Sequence, residues 1–345
     1  MNVLPNFSVV AATTIDDVIK TRAANPDSLL LGGGTDLIVN VRRGIVAPSV
    51  LVDVANVPEM RAIKAGAFGI EVGASVTLAE LAEHPGVQRH APVIAQAAGS
   101  VAGPTQRTMG TVGGNLCLDT RCVFYNQSEW WRATLNHCLK TTGAMCHVAP
   151  KSRGVCFATY SGDLAPAFLT LNAEVDVAGP LGRRTFPLGE LFIGYARQDQ
   201  RPAERSGDGK NFLSLRPGEF VTAVRAAKTP GLRSGYDKIR IRRSIEYPVA
   251  GVAVALRREG TRLAELRVAI TGVNPRPVLL EGTDRLCGGA LDARVSEGLD
   301  ALVREQVMSM KTTLTPGHYR RRVAAVLAWR LVSRLFDGAD PPSSD

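Results

Sequence analysis

Several common signatures are missing from these 345 residues. The six cysteines form no C-x-x-C pair and the five histidines no H-E-x-x-H. The 34 glycines form neither G-x-G-x-x-G nor G-x-x-x-x-G-K-[ST]. These absences remove the usual zinc-protease, dinucleotide and nucleoside-triphosphate fingerprints. No Ser/His/Asp arrangement can be assembled either, so hydrolysis is not expected. No apolar run reaches the ~18 residues that a membrane span requires. The opening MNVLPNFSVV lacks a basic n-region and a long apolar stretch, so neither a membrane anchor nor a signal peptide is expected. That points to the cytoplasm, where cysteines serve as thiols or metal ligands rather than disulfides. Aromatics are few, at 6%.

What is present describes a globular chain. Hydrophobic residues at 45% and charged residues at 21% exclude a disordered polymer. At ~150 residues per domain the length accommodates two or three domains. The net charge of +9 is lopsided, because residues 1–180 carry a net −1 and residues 181–345 a net +10. A basic half suggests an acidic partner, a nucleic acid or an anionic ligand, with a solvated arginine-rich surface as the plain alternative.

Along the chain, Thr14 with Asp16 and Asp17 predicts a helix through IDDVIKTRAA, stopped at Asn25-Pro26. Short buried strands are predicted at 28–31, 50–54 and 69–73. Thr77 and Glu80 form a capping-box pattern, and 91–102 is an alanine-rich helix. After residue 156, a helix (164–171) and a strand (173–177) precede a polar loop near 198–211. Strands at 236–242, 250–256 and 266–271 lead to helices at 296–311 and from Thr315-Pro316. Glycines gather at strand ends.

Two glycine clusters, Gly32-Gly33-Gly34-Thr35-Asp36 and Gly110-Thr111-Val112-Gly113-Gly114-Asn115, are either turns or cradles for a phosphate. Asp163, in Ser161-Gly162-Asp163, either favours a helix start or accepts from a ribose or adenine group. Lys238, Arg240, Arg242 and Arg243 alternate on one strand face, as a solvated edge or an approach to a cofactor. Residues 121–156 lack clear periodicity and hold Trp130, Trp131, His137 and His147. Five basic residues (Arg121, Arg132, Lys140, Lys151, Arg153) stand against one acid, Glu129. Cys122, Cys138, Cys146 and Cys156, separated by 15, 7 and 9 residues, suit a tetrahedral zinc or a cubane iron–sulfur cluster. A histidine in place of one thiolate is the minority option when four cysteines are available. The tryptophans would pack over the cluster or at a subunit contact. Cys117 and Cys287 read as small buried hydrophobes.

LLLGGGTDL, GTVGGNL, SGDLAP and YDKIRIRRSIEYPVAGVAVAL together resemble the FAD-binding medium subunits of the xanthine dehydrogenase and carbon monoxide dehydrogenase family of molybdenum hydroxylases. The resemblance implies an α+β fold. A two-part FAD domain of the vanillyl-alcohol-oxidase (PCMH) type would span 1–216, with subdomains 1–56 and 57–216. A C-terminal α+β domain, a three-stranded sheet with helices, would span 217–335, before a tail at 336–345. The cysteine-bearing insertion (117–157) is similar to that of the 4-hydroxybenzoyl-CoA reductase β subunit. By that likeness Cys122, Cys138, Cys146 and Cys156 ligate a [4Fe–4S] cluster. Leu31, Gly32, Gly33, Gly34, Thr35, Asp36, Val101, Thr111, Gly113, Gly114, Asn115, Asp163 and Lys238 would hold FAD.

The function so implied is electron transfer. Reduced ferredoxin would supply electrons through [4Fe–4S] and FAD to a small subunit with two [2Fe–2S] clusters. They would end at a large molybdopterin subunit that dehydroxylates 4-hydroxybenzoyl-CoA to benzoyl-CoA, in a dimer of heterotrimers. An alternative is an oxidative hydroxylase subunit that delivers electrons to NAD or quinone. A zinc-stabilised nucleic-acid-binding protein explains the charge and cysteines but not the glycine loops. On the leading reading no nucleic acid is bound. The five basic residues offset the cluster and an acidic ferredoxin docks near them, while the later excess serves FAD, subunit contacts and plain surface. Because the glycine loops are separate in sequence, Cys138→Ser is expected to lose the cluster and keep FAD.

Overall fold

The structure, a computed structural model, describes residues 4–194, 207–242, 244–308 and 310–338. Most of the expected polar loop (198–206), Arg243 and the end of the tail (339–345) lie outside the described residues.

The first layer is small and parallel. β1 (Ser8–Ala11), α1 (Ile15–Ala24), β2 (Leu29–Leu31), α2 (Leu37–Arg42) and β3 (Val50–Asp53) build a sheet of order β1-β3-β2. Thr14 caps α1 by accepting from the Asp17 N–H, and Asp17 returns the bond to the Thr14 N–H. That reciprocal box satisfies two otherwise orphaned donors, which is why the helix begins there.

The second layer is antiparallel. It contains β4 (Ile63–Gly66), β5 (Gly69–Gly73), α3 (Leu78–Glu83), α4 (Pro85–His90), α5 (Pro92–Ser100), α6 (Pro104–Arg107), α7 (Val112–Leu116), α8 (Glu129–Thr134), α9 (Leu164–Thr170), β6 (Glu174–Gly179), β7 (Gly182–Pro187), α10 (Leu188–Leu191) and β8 (Phe220–Ala227). Its five strands run β4-β5-β8-β6-β7. β8 follows the expected 216/217 boundary yet is the central strand, so this layer's share of the chain extends to Ala227.

The C-terminal layer has β9 (Leu232–Ile239), β10 (Ala250–Glu259), β11 (Arg262–Thr271) and β12 (Val278–Leu279), flanked by α11 (Ala293–Gln306) and α12 (Gly317–Asp337). The sheet has four strands rather than the expected three, because β12 adds two residues to the β11 edge. β10 is buried on both faces. Val252, Val254 and Leu256 pack against α11 and α12, while Ala253 joins Tyr236 and Ala269 in the core shared with α5 and α9. A strand covered on both sides reads as a continuous apolar run, which explains the unbroken AGVAVAL. Among the described residues no helix is long and apolar enough to cross a membrane.

Candidate cofactor site

The two glycine clusters meet through their backbones. A Cβ on Gly33 would lie 1.7 Å from the Met109 carbonyl oxygen, and one on Gly32 would lie 2.7 Å from Thr111 Oγ1. Only glycine permits this approach. Their donors differ, however. Among the described residues the N–H groups of Gly33, Gly34, Thr35 and Asp36 meet no acceptor within the chain. In the second loop Gly113 N–H donates to Ala74 O, Gly114 N–H to Thr111 Oγ1 and Asn115 N–H to Thr111 O. Four adjacent free donors, with Gly34 at φ +68°, form an anion nest suited to a pyrophosphate. The second loop is the wall behind it. Leu31 ends β2 beside this nest, and Val101 ends α5, where its carbonyl accepts from Arg107.

Asp163 stands at the first turn of α9 but makes no side-chain cap bond. Its buried carboxylate instead accepts from Lys238 Nζ at 3.0 and 3.1 Å and from the Tyr236 hydroxyl at 2.5 Å. Burial, then the Asp163 charge, pushes the Tyr236 phenol well above its ordinary range, so it remains a donor. Asn115 Oδ1 accepts the Leu164 N–H, and Tyr160 donates to the Asn115 and Leu116 carbonyls. The second glycine loop is thereby locked to the start of α9 beside Asp163.

Of the alternating basic residues, Lys238 turns inward and Arg240 donates to Ser100 O, but Arg242 is exposed because β9 ends at Ile239. Past that end, the Ile245 N–H donates to Ala102 O and the Tyr247 hydroxyl to Asp36 Oδ1. The C-terminal layer thus reaches back over the nest.

The four cysteines converge. A hydrogen bond shared between Cys146 and Cys156 lowers the first thiol and, with burial, raises the second. Burial pushes Cys122 up to about 11, against the pull of the Tyr125 and Phe124 N–H groups, and the charges of Cys138 and Cys146 reach it. The Val148, Ala149 and Phe157 N–H groups point to Cys146, the Ala158 N–H to Cys156, and the Thr141 hydroxyl lies 3.9 Å from Cys138. Left-handed backbone turns the chain inward just before two of these cysteines, at Asn136-His137 and at Arg153-Gly154. Among the described residues no group of three or more His, Cys, Asp or Glu is arranged for a single metal ion.

Neither histidine joins the thiols. His147 Nε2 lies 2.6 Å from the His137 carbonyl, and His137 Nε2 lies 3.7 Å from Glu129. Trp131 packs on Phe124, whereas Trp130 is 76% exposed. The five basic residues do not form a common halo. Arg121, Arg132 and Lys140 are buried in ion pairs with Asp36, Glu129 and Asp119, and only Lys151 and Arg153 are exposed. Counting charges could not show this, because Asp36 and Asp119 lie outside the segment counted. Cys117 is half-buried against the main core, and desolvation pushes its thiol up to about 12, as an inert thiol would be.

Residues 5–226 match the family described as the FAD binding domain in molybdopterin dehydrogenase. The chain belongs to that family. Residues 235–335 match the CO dehydrogenase flavoprotein C-terminal domain. A putative xanthine dehydrogenase FAD-binding subunit of Escherichia coli is 24% identical over 332 residues, covering 95% of each chain. An aldehyde oxidoreductase FAD-binding subunit of the same species is 28% identical over 282 residues, covering 80% of this chain and 82% of its own. In fold, the chain superimposes on a crystal structure of Cu,Mo-CO dehydrogenase with a TM-score of 0.75 at 22% identity, covering 98% of this chain and 100% of the other. It is therefore an FAD-binding oxidoreductase subunit of the molybdenum hydroxylase family, and the zinc-stabilised nucleic-acid reading loses its support.

Sequence reasoning missed Tyr236, Tyr247 and Asp119. Tyr236 stands two residues before Lys238 on the same face of β9, so strand alternation could have found it. A cavity of about 930 Å³ beside the β4–β5 turn, reaching His84 and Arg225, shares no residue with the nest or the thiols.

Proposed function

We propose that this subunit carries a [4Fe–4S] cluster beside FAD and passes electrons from reduced ferredoxin toward small [2Fe–2S] and large molybdopterin partners, for the reductive dehydroxylation of 4-hydroxybenzoyl-CoA. The supporting observation is the convergence of Cys122, Cys138, Cys146 and Cys156 with hydroxyl or peptide donors aimed at each sulfur. Such donors stabilise thiolates and tune a cluster's potential. A cubane is an eight-atom cage, so its thiolates need not close as they would round one ion; among the described residues no single-ion arrangement is present.

On this reading the Gly33–Asp36 donors hold the pyrophosphate, and Asp163 with Lys238 faces the ribityl or ring end. Leu31, Val101 and the Thr111–Asn115 loop line the walls. When bound, FAD exchanges one or two electrons and the cluster one, which suits a link between a single-electron donor and a two-electron site. Tyr236 and Lys238 keep the Asp163 carboxylate in place.

The test is an anaerobic spectrum with iron analysis of the purified chain. Flavin bands over a broad iron–sulfur absorbance, with about four irons per chain, are expected. Flavin without iron, or a colourless protein with one zinc, overturns the cluster assignment. The names of the relatives favour a second reading, oxidation with electrons leaving to NAD or quinone. Turnover of the assembled complex distinguishes them: benzoyl-CoA formed with reduced ferredoxin supports the first, and substrate-dependent NAD or quinone reduction supports the second.

A further inference from the structure

A row of alternating charges connects the nest to the thiols. Asp36, the last residue of the nest, accepts from Arg121 Nη2 at 2.7 Å, and Arg121 Nε lies 4.0 Å from Asp119. Asp119 Oδ1 accepts from Lys140 Nζ at 2.7 Å, and Gly209, whose carbonyl Lys140 also holds, donates its N–H to Cys156 O. The two cations are nearly enclosed, with side chains 8% and 5% exposed. Both lie over the Tyr125 ring. In sequence Arg121 immediately precedes Cys122, and Lys140 stands two residues after Cys138.

Hydrogen bonds anchor the row at both ends. The Arg121 backbone exchanges two hydrogen bonds with Thr159, three residues after Cys156. Lys140 also donates to Gly209 O at 2.7 Å. Asn40 and Tyr247 fix the Asp36 carboxylate. One donor is left over, because the buried Arg121 Nε has no acceptor. A buried donor without a partner is costly, and a bound anion nearby would relieve that cost.

We propose that Arg121 is a positioning residue that couples the two cofactor sites, so that a filled cysteine set and a filled nest each strengthen the other. The inference rests on the two-cofactor reading above. A bound cluster fixes the Cys122 and Cys138 turns, and with them Arg121 and Lys140. Arg121 then holds Asp36 sideways, away from the nest whose N–H groups must receive a phosphate. Without Arg121, the Asp36 carboxylate keeps Asn40 and Tyr247 but loses its cationic partner, and so competes better as an anion for those same donors. Such coupling is reciprocal in binding free energy.

The test measures FAD dissociation constants for the full chain with its iron in place and after chelation, and the rate of iron loss to the chelator with and without FAD. For the natural chain, FAD should bind about tenfold tighter when iron is present, and FAD should protect iron correspondingly. In Arg121→Gln both ratios should fall to about one, and Arg121→Lys should restore part of the coupling. If the chelated Arg121→Gln chain does not fold, the FAD-dependence of iron loss in the loaded variant alone decides the matter. Unchanged ratios in Arg121→Gln overturn the proposal, as does a natural chain that binds both cofactors without coupling. A natural chain that retains FAD but no iron overturns the two-cofactor reading as well, so the two failures are distinguishable.

Discussion

The cysteine-bearing segment and the C-terminal layer are ordered by opposite means. The C-terminal layer is sealed by aliphatic packing, with Val252, Val254, Leu256, Leu299, Val303, Leu331 and Val332 in one apolar cluster. In the segment 121–156 the buried residues are Arg121, Tyr125, Arg132, Cys138, Cys146, Val155 and Cys156. Only one of these is aliphatic. Apolar burial acts wherever the chain collapses, whereas thiols and paired cations stabilise only in the right partnership. The segment therefore relies on specific polar partnerships, and the C-terminal layer on apolar packing.

The largest expected effect breaks that symmetry directly. Iron removal, or Cys138→Ser, should greatly increase amide exchange across residues 121–156 while leaving β10 and β11 protected, because local stability need not be uniform. The sequence alone suggested that Cys138→Ser would spare FAD. The Asp36–Arg121 bond now predicts weakened FAD binding as well. Uniform protection in the iron-free chain would show that the segment is self-sufficient.

Next in size are two changes in the shared core and the apolar layer. Lys238→Met would leave Asp163, 4% exposed at its side chain, with Tyr236 as its remaining partner. Breaking a buried pair from one side costs about 3–5 kcal/mol, read as a lower denaturation midpoint. Leu299→Ala, at a fully buried position of α11, should cost about 2–5 kcal/mol and leave the iron content unchanged. Loss of iron in Leu299→Ala would mean that the two regions are not energetically distinct.

The same contrast decides what the sequence could disclose. Local signals were readable: the Thr14 box begins α1, Thr77 and Glu80 begin α3, and β5 spans Gly69–Gly73 as expected. β7 escaped notice because an edge strand reading GRRTFP, polar or exposed at every position but Phe186, lacks the alternation of a half-buried strand. β8 escaped because its pairing with β5 and β6 is long-range. At the candidate site, residue types in motifs were legible but partnerships were not. Three of five basic residues proved to be buried tethers, since their partners Asp36, Asp119 and Gly44 belong to other parts of the chain or to its flanks.

The smallest prediction compares two helix caps. Ser128 Oγ accepts the Trp131 N–H at the start of α8, within the cysteine-bearing segment. Thr77 caps α3 on the surface of the FAD domain, where Glu80 completes the box. Replacing either by Ala removes a cap worth about 1 kcal/mol. For Thr77→Ala this should appear as a loss of global stability, whereas Ser128→Ala should appear as faster iron loss with little change in the global midpoint. The two caps also differ in pH response. Burial pushes the Glu80 carboxyl up, but the Thr77 N–H and hydroxyl and Arg61 outweigh it and leave it below the usual carboxylate value of 4.5. Because the folded-state value is the lower one, this contribution is complete above the unfolded value and is lost as pH falls through the folded one. Acid titration should therefore diminish the Thr77→Ala difference below about pH 4. A difference that persists unchanged there would place the effect in the threonine alone rather than in the reciprocal box.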